Sequence, residues 1–290
     1  MIDYHALRAL QAVIEYQSFE LASKAIGISQ SAVTQRIQNF ESFLGTKLLI
    51  RKTPYRATEK GKSYLNLLRK VTSLENEILE DDDIKKAKPT LKIAMNRDSL
   101  DLFFLDVLTD TKVSQVLTLQ IIADDQDNTL KYLKSGQVDM CISSEKKPLP
   151  NHTSTHLGDM VYSLVCSKKF YKEYFNEGVN KKTLSEAPLV VFDKYDKAQH
   201  TYLKENFKVD KLTKINLMPS VQSFKKAILG GYGYGLLPFI DMEKEMKKRK
   251  FVQLNPSKNF SVSLFLHQWE YQREHIKLFN EKLIKAAQKL

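Results

Sequence analysis

Apolar residues recur at helical spacing over the first eighty positions and at strand-like spacing afterwards. Leu7, Leu10, Val13 and Ile14 lie on one face of a first predicted helix, with Asp3 at its N-cap. Ser18 caps a second, shorter helix carrying Phe19, Ala22 and Ala25, and Gly27-Ile28 breaks the pattern. Ser29 caps a third, where Val33, Ile37, Phe40 and Leu44 fall at i, i+4, i+7 and i+11. Gly45 stops it. Residues 48–50 read as a short strand and 53–58 as a turn with its return strand.

A fourth helix starts near Thr58, with Glu59 in its first turn. Tyr64, Leu67, Val71, Leu74 and Ile78 repeat at 3-4-3-4 spacing, the seam of a two-heptad coiled coil. A lone helix would leave that seam in water, so a dimerisation partner is implied. Residues 81–89 are charged, break the pattern and read as a linker. From 91 onward strands and helices alternate: strand 91–95, helix 99–107, strand 117–123, helix 127–135 ended by Gly136, strand 138–143. Such a βαβαβ run implies a parallel sheet. Later strands are expected at 162–167, 189–192, 214–218, 234–237 and 262–266. Later helices are expected at 170–175, 199–206, 221–230 and 271–289.

Charge sharpens this picture. The formal net charge of the 290 residues is +11, which favours a polyanionic partner. Residues 1–70 hold 11 Lys/Arg against 5 Asp/Glu, so much of the excess is concentrated in the helical N-terminal region. There the outward positions of the third helix are Gln30, Ser31, Thr34, Gln35 and Gln38, with Arg36 beside them and Ser29 at the cap. A solvated helix usually carries Lys and Glu; uncharged amides and hydroxyls suit base edges in a major groove. Helix, tight turn with Gly27 at its corner, and helix is a DNA-reading geometry. Arg51, Lys52 and Arg56 flank Pro54-Tyr55 in the following turn, where a wing would meet phosphates or the minor groove. An ordinary polar helix face and a solvated loop are the alternatives.

Other chemistries find little support. Cys141 and Cys166 make no disulfide framework, the six histidines show no metal-ligand spacing, and no cofactor loop is evident. Gly231, Gly233 and Gly235 have the wrong spacing for a dinucleotide loop. The expectation is therefore no enzyme, no metal and no cofactor. With neither a signal-peptide pattern nor a run of about 18 apolar residues, a cytoplasmic location is expected.

Residues 1–65 resemble the N-terminal domain of the LysR-type transcriptional regulators. The resemblance rests on Phe19 through Ala25, Ile28 through Ile37, Phe40-Glu41, Leu44-Gly45, Leu48 through Arg51 and Thr58-Glu59-Lys60-Gly61. A narrower similarity, to the arginine/lysine-responsive branch, rests on residues 51–61, Arg97-Asp98-Ser99-Leu100, Asp125, Ala187-Pro188, Val191-Phe192-Asp193 and Leu237-Pro238. Tyr55, Ala57 and the 231–235 glycines depart from that branch.

The resemblance implies a winged helix-turn-helix domain over 1–60, a linker/dimerisation helix over 61–89, and an effector domain over 90–290. That effector domain would be two-lobed and α/β, like a periplasmic binding protein. Lobe I would span about 90–160 and 267–290, and lobe II about 161–266. It implies double-stranded DNA, RNA polymerase and a small-molecule effector as partners, and a homodimer or homotetramer. An effector would lie between the lobes, at strand ends. Asp98 and Ser99 follow the first strand, Asp124 and Asp125 end the second, and Asp193 follows a strand of the other lobe, with Asp196 on its loop. Ser99 would hold an α-carboxylate and the aspartates a cationic group, as lysine or arginine would need. Singly, each is equally a cap or turn residue. The rival functions are a DNA-organising protein without sequence preference, and an enzyme or solute carrier built on the α/β domain.

Overall fold

The computed structural model describes residues 1–80, 88–194, 196–272 and 274–290. The expected linker lies largely outside the described residues. By contacts the chain divides into two units. One comprises Met1–Ile93, Thr118–Gln120 and Lys131–Cys141; the other comprises Ala94–Leu117, Ile121–Leu130 and Ile142–Leu290.

The N-terminal helices are α1 (Tyr4–Tyr16), α2 (Phe19–Ile26) and α3 (Gln30–Leu44). All three caps act as expected: Asp3, Ser18 and Ser29 accept the amides of Ala6, Leu21 and Ala32. Gly27 ends α2 at φ 69°, a left-handed conformation that a side chain would strain. Leu7, Leu10 and Val13 of α1 meet Ala22 of α2 and Val33, Ile37 and Phe40 of α3 in one core. Ala25, expected inside, is exposed, and Ser23 is buried in its stead. β1 (Leu49–Ile50) and β2 (Arg56–Ala57) pair antiparallel as a hairpin.

Helix α4 (Glu59–Glu80) follows at once. Gly61 belongs there because a Cβ would stand 2.2 Å from the Leu48 carbonyl oxygen, which already accepts the Thr58 amide. The faces of α4 differ from the expected seam. Leu65 and Leu68 are its buried residues, and Tyr64 packs edge-on against Phe40 at 5.5 Å. Leu67 and Val71 are half-buried and Leu74 is exposed. Tyr64 is thus taken up within the N-terminal core, its ring against Phe40 of α3, because the short hairpin brings α4 back onto α1.

The strands that follow are β3 (Thr90–Met95), β4 (Thr118–Ala123), β5 (Met140–Ser143), β6 (His152–Ser167), β7 (Leu189–Val191), β8 (Ile215–Leu217), β9 (Gly235–Pro238), β10 (Phe251–Gln253) and β11 (Phe260–Trp269). Their order is β10-β6-β11-β5-β3-β4, with β9 also on β6. The parallel expectation concerns β3, β4 and β5; β6, beyond that run, pairs antiparallel with β9, β10 and β11, so the sheet as a whole is mixed. The sequence pattern finds only the apolar half of β6, because its first ten residues are mostly polar and include Gly158. Ladder pairing with β11 over its whole length holds that half extended, and Leu157 bulges where the register shifts. β7 and β8 form a separate parallel pair.

The helices among these strands begin with α5 (Arg97–Ser99), which continues through a π-helical turn at Leu100–Phe104 into α6 (Leu105–Leu108). Then come α7 (Thr111–Val116), α8 (Gln126–Lys134), α9 (Lys168–Tyr174), α10 (Lys181–Glu186), α11 (Ala198–Phe207), α12 (Val221–Leu229), α13 (Phe239–Lys247) and α14 (Glu274–Ala287). Helices α7, α10 and α13 were not anticipated. The first two are too short for a periodic stripe, and the charged α13 buries chiefly Met242. Residues 161–266 contribute to two cores, one around Phe170, Phe175, Tyr202 and Tyr234, the other around Phe224, Ile228 and Met242. Among the described residues no helix is long and apolar enough to cross a membrane.

Candidate functional site

Helix α3 presents Gln30, Ser31, Gln35 and Gln38 to solvent, while Thr34 and Arg36 are half-buried. The hydroxyls are engaged at home. Ser29 Oγ accepts from the Ala32 amide at 3.2 Å and lies 3.0 Å from Ser31 Oγ, and Thr34 Oγ1 donates to the Gln30 carbonyl at 3.1 Å. The exposed amides of Gln30, Gln35 and Gln38 therefore reach furthest, each carrying a donor and an acceptor.

The hairpin beside α3 is tethered at two points. Gln17 donates to the Tyr55 carbonyl at 2.9 Å and accepts the Tyr55 amide at 2.7 Å, while the Tyr55 ring stands edge-on to Phe19. Glu41, buried on α3, accepts the amides of Leu48 and Leu49 at 2.8 and 3.1 Å. Its charge is met by Lys47 at 3.2 Å and Arg51 at 3.7 Å. Burial alone would raise the Glu41 carboxyl, but the two amides and Lys47 outweigh it and hold it below the usual carboxylate range. Arg51 also lies over the Phe19 ring, so it is held against the domain. Pro54 and Arg56 are exposed at the hairpin tip and edge. Gln17 carries no sequence signal of this role, and Glu41 only that of a family motif; neither shows any local periodicity.

A second cluster is acidic. Asn96, not Ser99, caps α5, accepting the Ser99 amide at 3.3 Å. Ser99 lies inside the first turn, fully buried, and its hydroxyl has no hydrogen-bond partner. Asp98 Oδ2 accepts from the Tyr162 hydroxyl of β6 at 2.7 Å. Burial pushes Asp98 up to about 6, against the opposing Tyr162 hydrogen bond, and the charges of Asp241, Asp101 and Asp196 push the same way. Burial and then the Asp98 charge drive the Tyr162 phenol well above its ordinary value, so it stays a donor.

Asp124 accepts the Asp125 amide at 2.7 Å and the Asn128 side chain at 3.3 Å; Asp125 accepts the Asp127 amide at 2.9 Å. Both shape the start of α8. Burial raises Asp125, and the charges of Asp127, Asp124 and Asp196 add to this. Asp196 accepts the amides of Phe192 and Ala198, each at 3.1 Å, which fixes the loop after β7. It is this loop's carboxylate that acts on both Asp98 and Asp125; Asp193, half-buried, is not among the larger charges on either. Arg97 places its guanidinium 4.9 Å over the Phe192 ring. The structure thus gathers Asp98, Asp125 and Asp196, and adds Asp101 and Asp241, which the sequence reading did not name.

A helix-turn-helix with a polar outer face and a tethered basic hairpin, followed by an α/β domain with a buried acidic cluster, is the layout of a ligand-responsive DNA-binding regulator. The chain belongs to the LysR family of bacterial transcriptional regulators. Residues 4–62 match its regulatory helix-turn-helix family and residues 89–288 its substrate binding domain. It is 34% identical over 292 residues to the HTH-type transcriptional regulator ArgP of Vibrio parahaemolyticus, covering 99% of this chain and 98% of that relative. It is 33% identical to ArgP of Pseudomonas fluorescens, covering 99% and 97%. Among solved structures, ArgP from Mycobacterium tuberculosis matches with TM-score 0.89 and 26% identity, covering 99% of this chain and 98% of that one. LysG from Corynebacterium glutamicum with bound effector Arg matches with TM-score 0.83 and 26% identity, covering 99% of each. These relatives are regulators of transcription, not enzymes.

Proposed function

We propose that this regulator senses a basic amino acid, lysine or arginine, and controls genes of amino-acid export or metabolism from the cytoplasm. The observation that carries this reading is the gathering of Asp98 and Asp125 around Asp196, whose charge raises both and which a bound cation would offset. In it the buried Ser99 hydroxyl donates to the α-carboxylate, Asp98 meets the α-ammonium on the same carbon, and Asp124 and Asp125 meet the side-chain cation. Asp193 borders that end from the loop after β7. The arginine bound by LysG supports the choice of ligand.

In the same reading Gln30, Ser31, Thr34, Gln35 and Gln38 read base edges from α3. Ser29, Arg36, Arg51, Pro54 and Arg56 position it on the backbone. In this reading residues 1–60 bind DNA, 61–89 dimerise and 90–290 take the effector. Leu67, Val71 and Leu74, half-buried or exposed on α4, form a homodimer seam without Tyr64, whose ring packs on Phe40, and dimers pair into tetramers; the side chain of Ile78, the last expected seam position, lies outside the described ones. Two reading helices then span half-sites of an inverted repeat about one helical turn apart. The effector biases one quaternary arrangement and so changes contact with RNA polymerase, which requires different affinity for the two arrangements.

Calorimetric titration with lysine, arginine, ornithine and leucine tests the reading. Saturable binding of the basic amino acids alone is the expected result. Absence of binding to all of them would remove the effector and leave the DNA-binding regulator.

A further inference from the structure

Asp241 lies in the first turn of α13, and its side chain is only 10% exposed. Its Oδ1 accepts from Lys225 Nζ of α12 at 2.9 Å, and Lys225 also reaches the Asp241 carbonyl. Its Oδ2 is buried without any hydrogen-bond partner. A carboxylate oxygen in that condition carries an unrelieved desolvation cost, which a donor would remove. Lys225 cannot relieve it alone, because the same ammonium is shared with Glu245 at 3.3 Å. Asp241 also bears on Asp98 and on Asp101, which burial and Asp241 together raise above the ordinary range. Asp98, Asp101 and Asp241, from α5, the π-helical turn and α13, therefore act on one another, and of these Asp241 is paired with Lys225.

The cation nearest in sequence, Arg97, is stacked on Phe192. Asp98 is already the acceptor of the Tyr162 hydroxyl through Oδ2. Asp241 Oδ2 is left without a hydrogen-bond partner, as are the Ser99 hydroxyl and Glu245 Oε2, and of the two carboxylate oxygens it belongs to the group whose charge acts on Asp98. The acidic groups fall into two ends, Asp124 with Asp125 and Asp98 with Asp101 and Asp241, joined by Asp196, which acts on both. A dibasic amino acid likewise has two cationic ends.

Resting on the basic-amino-acid reading above, we propose that Asp241 is a specificity residue of the effector site. Its Oδ2 accepts the effector's α-ammonium beside Asp98, and Lys225 holds the carboxylate in place. The site then requires a free α-amino group as well as a cationic side chain.

The test is calorimetry on the full-length protein with arginine, with 5-guanidinopentanoate (arginine without its α-amino group) and with citrulline (arginine with a neutral side chain). The wild type should prefer arginine to both analogues. Asp241→Asn should lose about tenfold in arginine affinity, the scale of one charge-assisted hydrogen bond. Its preference over 5-guanidinopentanoate should collapse, while its preference over citrulline persists. Lys225→Gln, which frees the Asp241 charge, should widen the preference over 5-guanidinopentanoate, with circular dichroism confirming that both variants are folded. An unchanged arginine/5-guanidinopentanoate ratio in folded Asp241→Asn, or a collapse of the citrulline ratio instead, would overturn the proposal and leave the effector reading intact. A wild type that binds no basic amino acid would overturn the effector reading itself.

Discussion

The Tyr162 hydroxyl donates to Asp98 Oδ2 at 2.7 Å across 64 positions of sequence, tying the first turn of α5 to the middle of β6. That bond opposes the effect of burial, which brings the Asp98 carboxyl up to about 6 from an ordinary 3.8. In the proposed site, proton and effector cation would compete for this carboxylate within the physiological range.

Effector affinity should be highest above pH 7 and should fall as the pH drops through about 6, where Asp98 takes up its proton. Titration calorimetry from pH 5 to 8 measures this, with proton release expected near pH 6. A flat profile would exclude Asp98 from the site.

Tyr162→Phe removes the bond that lowers Asp98, so the carboxyl should titrate above 6. Effector binding at pH 7 should weaken and return at higher pH. A loss that raising the pH does not recover would mean that Tyr162 acts on the ligand directly.

Asp98 also bears on stability. Its folded-state value lies above the unfolded one, so the folded form binds more protons between about 4 and 6, and stability falls as pH rises through that window. Asp98→Asn keeps an acceptor for Tyr162 and removes the buried charge. At pH 7 it should gain on the order of 2 kcal/mol, while losing effector binding. A thermal melt with and without arginine reads both effects.

Glu41 carries the opposite sign. Its carboxyl is held low in the folded protein, so its contribution is present above about pH 4.5 and is lost as pH falls through the lowered value. Glu41→Gln keeps one acceptor for the Leu48 and Leu49 amides but leaves Lys47 and Arg51 without their counter-charge. It should cost roughly 1–3 kcal/mol and weaken DNA binding through a loosened hairpin. Chemical denaturation and a fluorescence binding assay check the two parts; no change in either would mean that the hairpin is held elsewhere.

On DNA, Gln35→Ala should cost about 1–3 kcal/mol at the base it reads and relax the sequence preference there. Arg56→Ala should weaken all sequences alike and reduce the slope of log affinity against log salt by about 1. Binding to operator and random duplexes at several salt concentrations separates them. Equal discrimination in Gln35→Ala and wild type would count against α3 as the reading helix.

Much of the N-terminal domain was legible in the sequence, because its determinants are local. Caps at Asp3, Ser18 and Ser29, the turn at Gly27 and the Val33–Ile37–Phe40 stripe act over one or two helical turns. The alternation of strands and helices after residue 90 was legible for the same reason. What the sequence could not supply is which distant groups meet and how far water is removed from them. The extended polar half of β6 follows from its ladder with β11, and the burial of Glu41 from its two hairpin amides. Asp98, Asp196 and Asp241 look alike in sequence, each a carboxylate near a helix start. Asp196 takes two amides of its own loop, but only tertiary structure gives Asp98 a tyrosine and Asp241 a lysine with an oxygen left over. Hydrogen bonding and desolvation act through space between segments far apart in the chain, and periodicity carries no record of them.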